Sequence, residues 1–211
     1  MLEIFIPAFV TLFVVIDPPG IAPIFASLTD GTSRDHKTSM AYRSVMVGAF
    51  IVLLFAFAGE WLLGALGIGL DAFRVAGGVM LFIIALEMVF EKRTERREHR
   101  AEQVVEDYDE DIEHEDISVF PMGIPMIAGP GTIATIMLYM SRFGDDWTSK
   151  AMVLAAAAVI LLLTLTVLLL SDRIMKLMGK TFSAMLTRLL GVILAAMAGQ
   201  LIIDGVKGAF A

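Results

Sequence analysis

Six apolar stretches of membrane length divide this chain, at about residues 2–28, 41–63, 70–90, 118–142, 150–171 and 184–206. Each reaches the roughly 20 residues that a helix needs to cross about 30 Å of hydrocarbon. A chain that is 57% hydrophobic, with a mean hydropathy of +0.79, would not stay dissolved as a globular domain. The sequence therefore predicts an all-α, polytopic membrane bundle of six transmembrane segments.

Two short proline-glycine motifs interrupt the first and fourth stretches. They are Asp17-Pro18-Pro19-Gly20 and Gly129-Pro130-Gly131-Thr132. Irregular backbone at membrane depth is tolerated only where protein buries it or where it lines a polar cavity. We therefore expect the first and fourth helices to be broken. Because the two breaks occupy corresponding places in the two halves, we also expect a binding or permeation site where they meet.

The two halves of the chain repeat each other. Pro19-Gly20 aligns with Pro130-Gly131, and Arg74-Val75-Ala76-Gly77 aligns with Arg188-Leu189-Leu190-Gly191. Each half holds three spans, an odd number, so the second copy would lie inverted in the membrane, as in many secondary transporters. The predicted units are residues 1–91, a linker at 92–117, and residues 118–211.

The acidity of the chain comes from that linker. Residues 91–117 contain twelve of the 23 acidic residues and five of the 16 basic ones, which accounts for the whole net charge of −7. The acidity therefore implies nothing about an acidic substrate, and we expect no nucleic-acid partner. So polar a segment buries too little apolar surface to fold, which indicates a solvated linker. Its His99 and His114 lack the spacing of metal ligands, and we expect no metal or cofactor.

The distribution of basic residues predicts the orientation. Twelve of them follow spans one, three and five, and four fall on the other side. The side rich in Lys and Arg normally faces the cytoplasm. The linker would then be cytoplasmic and both termini would lie outside. The N-terminus lacks a basic flank and a cleavage motif, so we interpret it as a retained first span.

Each break provides polar groups that a ligand can bind. Asp17 can cap a half-helix that begins at Pro18-Pro19, and Gly129-Pro130-Gly131 offers a second helix start with the Thr132 hydroxyl beside it. Two facing helix N-termini favour an anionic group, and Asp17 would favour a cation, an ammonium or a proton, so a zwitterion suits both. We expect Asp17, Gly20, Gly129, Gly131 and Thr132 to share one polar cavity. The alternative is that Asp17 only caps a helix and that the prolines and glycines only produce packing kinks.

Three further charged residues are candidate accessory residues. Glu87 lies inside span three and either contributes to a cytoplasmic vestibule or extends to the membrane interface. Arg74 and Arg188 begin equivalent spans in the two halves. Each either neutralises a carboxylate or anchors a helix end.

At these residues the chain resembles a known family. Asp17-Pro18-Pro19-Gly20 with Pro23-Ile24-Phe25 is similar to the first span of the MarC family of integral membrane proteins. The resemblance extends to the third, fourth and sixth spans through Arg74–Gly78, Ala128–Ile133 and Thr187–Gly191. It covers nearly the whole chain except residues 95–116. It implies a cytoplasmic-membrane protein related to the lysine-exporter-type superfamily, and it assigns no catalytic residue.

Several functions fit these observations. An exporter of a small polar solute explains the repeat, the paired breaks and Asp17, whereas a passive channel would use the same half-helices without coupling. A non-transporting structural membrane protein would be indifferent to Asp17. An enzyme fits least well, because His36, His99 and His114 all fall in loops and no catalytic set is recognisable. The expected partners are the lipid bilayer and a small solute, and the sequence leaves the oligomeric state open.

Overall fold

The computed structural model describes residues 1–93, 96–97 and 116–210. The described residues form helices and no strand, so the all-α prediction is confirmed. The helical segments are α1 (Leu2–Ile16), α2 (Pro18–Leu28), α3 (Arg34–Ala65), α4 (Leu70–Val89), α5 (Ser118–Ile127), α6 (Pro130–Ser141), α7 (Trp147–Leu169) and α8 (Ser171–Ala209). Most of the predicted linker, residues 94–95 and 98–115 with His99 and His114, lies outside the described residues.

Five stretches of the described chain are long and apolar enough to cross a membrane: Leu2–Leu28, Arg34–Ala65, Leu70–Val89, Trp147–Leu169 and Thr181–Ala209. Helices α5 and α6 together are the sixth candidate, and their axes are bent by 53° where they meet. Counting that pair as one span gives the six that the sequence predicts.

The first break lies at Asp17. This residue ends α1 in the left-handed region, with φ 58° and ψ 62°, and Pro18 starts α2 immediately after it. Proline suits a first helical turn because its missing N–H would have no helical acceptor there. Neither half-helix is long enough to cross alone, whereas Leu2–Leu28 together are.

The second break is longer and less regular. Within α5, Phe120 and Ile124 have extended backbone angles, and Gly129 is extended before Pro130 starts α6. Both breaks therefore occur where the sequence predicted them, but the second is a ten-residue distorted segment followed by a straight helix. Proline at 121 and 125 accounts for the distortion, because neither residue can donate the hydrogen bond that a helix needs.

Two helices extend beyond their predicted bounds. Helix α3 begins at Arg34 because the Ser33 hydroxyl accepts a hydrogen bond from the His36 amide and caps it. Helix α8 begins at Ser171 and is interrupted at Gly179, whose φ of 67° breaks the helical run. These polar turns project beyond the apolar stretches, which is why hydropathy alone did not include them.

Among the described residues, the buried apolar side chains form two clusters that share α1. One joins α1 and α2 to α3, α5, α6 and α7, and the other joins α1 to α4 and α8. Helices α4 and α8 pack antiparallel through small residues. A Cβ at Gly78 would lie 3.1 Å from the Ala198 carbonyl oxygen, and one at Gly191 would lie 3.0 Å from the Ala85 carbonyl oxygen. These two close contacts between the helices lie about two helical turns apart along each helix.

The outer surface of the bundle is apolar. On α3, Phe50, Phe57 and Trp61 are each more than half exposed. Large exposed apolar surfaces of this kind mark contact with a membrane or a partner. On helices of membrane length, they are the surface expected to face lipid.

Candidate functional site

The Asp17 carboxylate is buried at the first break, with 1% of the residue exposed. It accepts a hydrogen bond of 3.2 Å from the Gly20 amide, which caps α2. The Thr187 hydroxyl, on α8, donates to it at 3.2 Å, and the Arg97 guanidinium pairs with it at 3.3 Å. Three parts of the chain therefore converge on this carboxylate.

Glycine is required at position 20 for this arrangement. A Cβ there would lie 2.1 Å from an Asp17 carboxylate oxygen, which is far inside contact distance. Any other residue would displace the carboxylate from the cap.

Two arginines that follow α4 donate hydrogen bonds to the free carbonyl groups at the C-terminal end of α1. A helix leaves its last carbonyls without internal partners. Here the Arg93 guanidinium donates to the Val15 carbonyl oxygen, and that of Arg97 donates to the Ile16 carbonyl oxygen at 3.4 Å. Burial, together with the charge of Arg97, lowers the pKa of Arg93 to about 9, so Arg93 is still cationic at neutral pH.

The second break is packed tightly against its surroundings. A Cβ at Gly129 would lie 2.5 Å from the Pro125 carbonyl oxygen, and one at Gly131 would lie 2.7 Å from Ile84 Cδ1 and 3.0 Å from Val15 Cγ1. The Thr132 hydroxyl donates to the Ile127 carbonyl oxygen at 2.9 Å. This hydroxyl thus bridges the two sides of its own break.

A cavity of about 330 Å³ lies beside the second break, and we call it the Arg93 cavity. Its charged lining residues are Glu87, Arg93, Arg96 and Arg97, and Gly129, Pro130, Gly131 and Thr132 also line it. Asp17, Pro18, Pro19 and Gly20 are not among the residues that line it. Arg97 connects the two sets, since it lines the cavity and pairs with Asp17.

A second cavity, of about 270 Å³, lies further along the same helices, and we call it the Tyr139 cavity. It is lined by Thr11, Arg74, Leu81, Thr135, Leu138, Tyr139, Arg142, Leu201 and Asp204. Its charged residues lie at the opposite ends of the helices from Arg93 and Arg97.

About one helical turn separates the two cavities. On α1 the Tyr139 cavity is lined by Thr11 and the Arg93 cavity by Val15, and on α6 the corresponding residues are Thr135 and Thr132. Such steps correspond to roughly 5 Å along a helix axis. Where the two linings meet, Val15, Ile84 and Gly131 from the Arg93 cavity pack against Leu81 from the Tyr139 cavity, with the three side chains around Gly131. We call these four residues the partition.

The three candidate accessory residues lie in different places. Glu87 lines the Arg93 cavity and pairs with Arg96 at 2.7 Å. Arg74 lines the Tyr139 cavity and pairs with Asp71 at 2.7 Å. Arg188 lines neither cavity and pairs with Glu91.

Comparisons with known proteins give the family. The model of the MarC family integral membrane proteins matches residues 2–210. The chain belongs to the MarC family. It is 35% identical to the UPF0056 membrane protein MJ1677 of Methanocaldococcus jannaschii, over 99% of this chain and 98% of the relative. It is also 35% identical to the UPF0056 membrane protein YvbG of Bacillus subtilis, over 100% of this chain and 97% of the relative. No solved structure matches it.

Membership of the MarC family, together with the apolar helices, makes this chain a multi-pass integral membrane protein. Three contributors to the site of this MarC-family protein are not predicted from the sequence: Arg93, Arg97 and Thr187. The distribution of basic residues predicts only a contribution to orientation for Arg93 and Arg97, and in the Thr187–Gly191 motif the sequence indicates Arg188. The signal for the arginines was Asp17 itself, because an acidic side chain at membrane depth needs a cationic partner. Nothing in the sequence alone distinguished Thr187 from its neighbours.

Proposed function

We propose that this MarC-family protein transports a small polar solute across the cytoplasmic membrane by alternating access. The observation that carries the proposal is the pair of cavities with charged linings that share α1, α4 and α6 and whose linings meet at the partition. A solute in either cavity has only this partition to cross. No chemical reaction is involved, so we assign no catalytic residue.

The packing of the partition favours a gated pathway over a permanently open channel. At Gly131 the neighbouring side chains approach so closely that even a methyl group would overlap Ile84. Glycine on α6 therefore lets three helices meet between the cavities. A modest shift of α6 against α1 and α4 would open one face of the partition, and hinge and shear motions of this kind serve alternating access.

The α4–α8 contact supports an inverted repeat. Gly78 meets Ala198 and Gly191 meets Ala85, so exchanging the two helices leaves the pattern of the contact unchanged. Helices α4 and α8 are the third span of each half. A two-fold relation between the halves would make the two cavities equivalent positions, which is the arrangement that alternating access requires.

We propose that the Arg93 cavity faces the cytoplasm. Arg93, Arg96 and Arg97 line it, and they belong to the twelve of the 16 basic residues that follow spans one, three and five, the set that the positive-inside rule assigns to the cytoplasm. Both termini and the Tyr139 cavity would then face outward, and the acidic linker would be cytoplasmic.

Single cysteines in the two cavities test the proposal, because the chain has no cysteine of its own. Ile84→Cys lines the Arg93 cavity and Leu201→Cys lines the Tyr139 cavity. In inside-out vesicles and in intact cells, an impermeant thiol reagent should label each variant from one side only. We expect the labelling rates of the two cysteines to change in opposite directions, so that any condition that raises the rate at position 84 lowers the rate at position 201, and the reverse.

Three other results would contradict alternating access. Labelling of both cysteines from either side would show a continuous pore, and labelling that never changes in a reciprocal manner would show a fixed structure. Comparing metabolites between cells that overexpress and cells that lack the protein supplies the flux test. Identical metabolite levels inside and outside both strains would argue against transport.

A further inference from the structure

A further cavity, of about 1000 Å³, lies between the turn that joins α2 to α3 and the turn that joins α7 to α8. We call it the Arg173 cavity. Its walls come from residues 26–38 and 169–176, one from each half of the chain. Both turns follow odd-numbered spans, so they lie on the same side of the bundle as Arg93, which follows span three. The cavity is larger than either cavity of the proposed pathway and lies at the edge of the bundle.

Basic residues outnumber acidic ones in the lining of the Arg173 cavity by four to two. The basic residues are Arg34, Lys37, Arg173 and Lys176, and the acidic ones are Asp30 and Asp172. Lys37 is paired with Asp172, which joins the two walls. Arg34, Arg173 and Lys176 are exposed and form no ion pair within the part of the chain that the structure describes. The cavity therefore presents a net positive charge to a ligand.

Exposed apolar side chains lie beside these cations. Leu169 and Leu170 line the cavity and are 38% and 39% exposed, and Leu177, directly after Lys176, is 87% exposed. These leucines lie where the apolar helix α7 ends and before the span Thr181–Ala209 begins. That is the level at which the hydrocarbon of a bilayer meets its head groups. A ligand that suits both the cations and the leucines is amphipathic.

The start of α8 has the pattern of an interfacial helix. Gly179, with a φ of 67°, separates it from the spanning part of α8. Before this break, Arg173 and Lys176 alternate with the apolar residues Ile174, Met175 and Leu177. Helices that lie at the head-group level combine Lys and Arg with an apolar face in this way. One wall of the cavity therefore lies within reach of lipid head groups.

From this arrangement we propose that the Arg173 cavity binds an anionic phospholipid, such as phosphatidylglycerol, from the leaflet on its side of the membrane. The lipid phosphate lies among Arg34, Arg173 and Lys176, and the acyl chains run along Leu169 and Leu170. Basic pockets between membrane helices on the cytoplasmic side bind anionic head groups by the same chemistry. The bound lipid joins the two halves of the chain at this edge. The inference goes beyond the proposed function and does not depend on transport.

The test compares three probes by native mass spectrometry of the full chain in detergent. Dioleoyl phosphatidylglycerol carries an anionic phosphate and acyl chains, dioleoyl phosphatidylcholine has the same chains without a net charge, and glycerol 3-phosphate has the phosphate without chains. We expect phosphatidylglycerol to bind at least about tenfold more tightly than phosphatidylcholine, because several basic residues face its phosphate. A large excess of glycerol 3-phosphate should not displace it.

Single substitutions locate the site. Lys176→Gln, Arg173→Gln and Arg34→Gln should each weaken phosphatidylglycerol binding about fivefold, the factor that corresponds to about 1 kcal/mol for each basic residue near an anionic membrane surface. The control is Lys92→Gln, because Lys92 is exposed and follows span three on the same side, but does not line the cavity. Binding of phosphatidylcholine should be unchanged in all four variants. All four side chains are exposed, so the lipid-free variants should unfold as the wild type does.

Three results would overturn the lipid site. Equal affinities for the two lipids would show that the cavity does not recognise the charge of the head group. Equal weakening by Lys92→Gln and by the cavity variants would show that binding follows the charge of the whole surface. Displacement of the lipid by glycerol 3-phosphate would assign the cavity to a soluble phosphate compound. None of these results affects the reciprocal accessibility expected at positions 84 and 201, which tests the proposed function separately.

Discussion

Replacing Asp17 tests whether its charge or only its capping oxygen holds the first break together. Asp17→Asn keeps an oxygen for the Gly20 amide and tolerates the left-handed backbone, but it removes the ion pair with Arg97. Removing one partner of a buried pair typically destabilises a protein by about 3–5 kcal/mol. Because the Arg97 side chain is 10% exposed and lines a cavity, we expect the lower end, about 3 kcal/mol.

Asp17→Ala removes more interactions than Asp17→Asn does. It loses the cap as well, at about 1 kcal/mol, and it places a residue without a local hydrogen bond in the left-handed region, at about 1–2 kcal/mol. We therefore expect the alanine variant to be less stable than the asparagine variant by about 2–3 kcal/mol. If Asp17 were only a cap, the asparagine variant would be as stable as the wild type, and only alanine would destabilise.

The assay is unfolding in mixed micelles with increasing dodecyl sulfate, followed by the fluorescence of Trp61 and Trp147. A double-mutant cycle with Arg97→Gln isolates the pair, and residues in direct contact should give a coupling energy of about 1–3 kcal/mol. The control is Arg96→Gln, because Arg96 is 57% exposed in its pair with Glu87 and should change stability by less than about 1 kcal/mol. Strictly additive effects of the Asp17 and Arg97 variants would refute the ion-pair argument.

Three other changes have defined expectations. Gly20→Ala should destabilise the protein by about 1–3 kcal/mol in the same unfolding assay, because its Cβ would overlap the Asp17 carboxylate. The control is Gly199→Ala, which has open space around its Cβ and should stabilise α8 by roughly 0.5–1 kcal/mol. Equal effects of the two variants would contradict the packing argument. A cysteine at Ser33 should be shielded from an impermeant reagent outside intact cells and one at Asp145 should be labelled, whereas the opposite pattern would invert the proposed orientation. Removing residues 106–115 should leave a monodisperse protein in detergent, because the segment has little apolar surface to contribute, and loss of that species would show that the segment docks on the bundle.

Much of the fold could be predicted from hydropathy and from the special properties of proline and glycine. The apolar stretches located the spans, and Pro18 and Pro130 located the starts of α2 and α6. Helix bounds were less accurate where polar turns continue a helix, as at Arg34, because such turns carry no apolar signal.

The site was predicted less completely, for a physical reason. Sequence identified both breaks, but it could not show that Arg97 lies between Asp17 and the cavity at the second break. The Tyr139 cavity was not predicted at all, because its residues come from four helices and share no spacing. Local patterns report what a residue does to its own helix, whereas a cavity depends on how helices are placed together.

The thinness of the partition has an electrical consequence. When water fills both cavities, the membrane potential falls mainly across the roughly 5 Å of protein that separates them, about one helical turn. A solute of unit charge crossing that layer would gain or lose about 2.3 kcal/mol for every 100 mV. A zwitterion has no net charge and would cross without electrical work, so its flux would follow its own concentration gradient unless an ion moves with it.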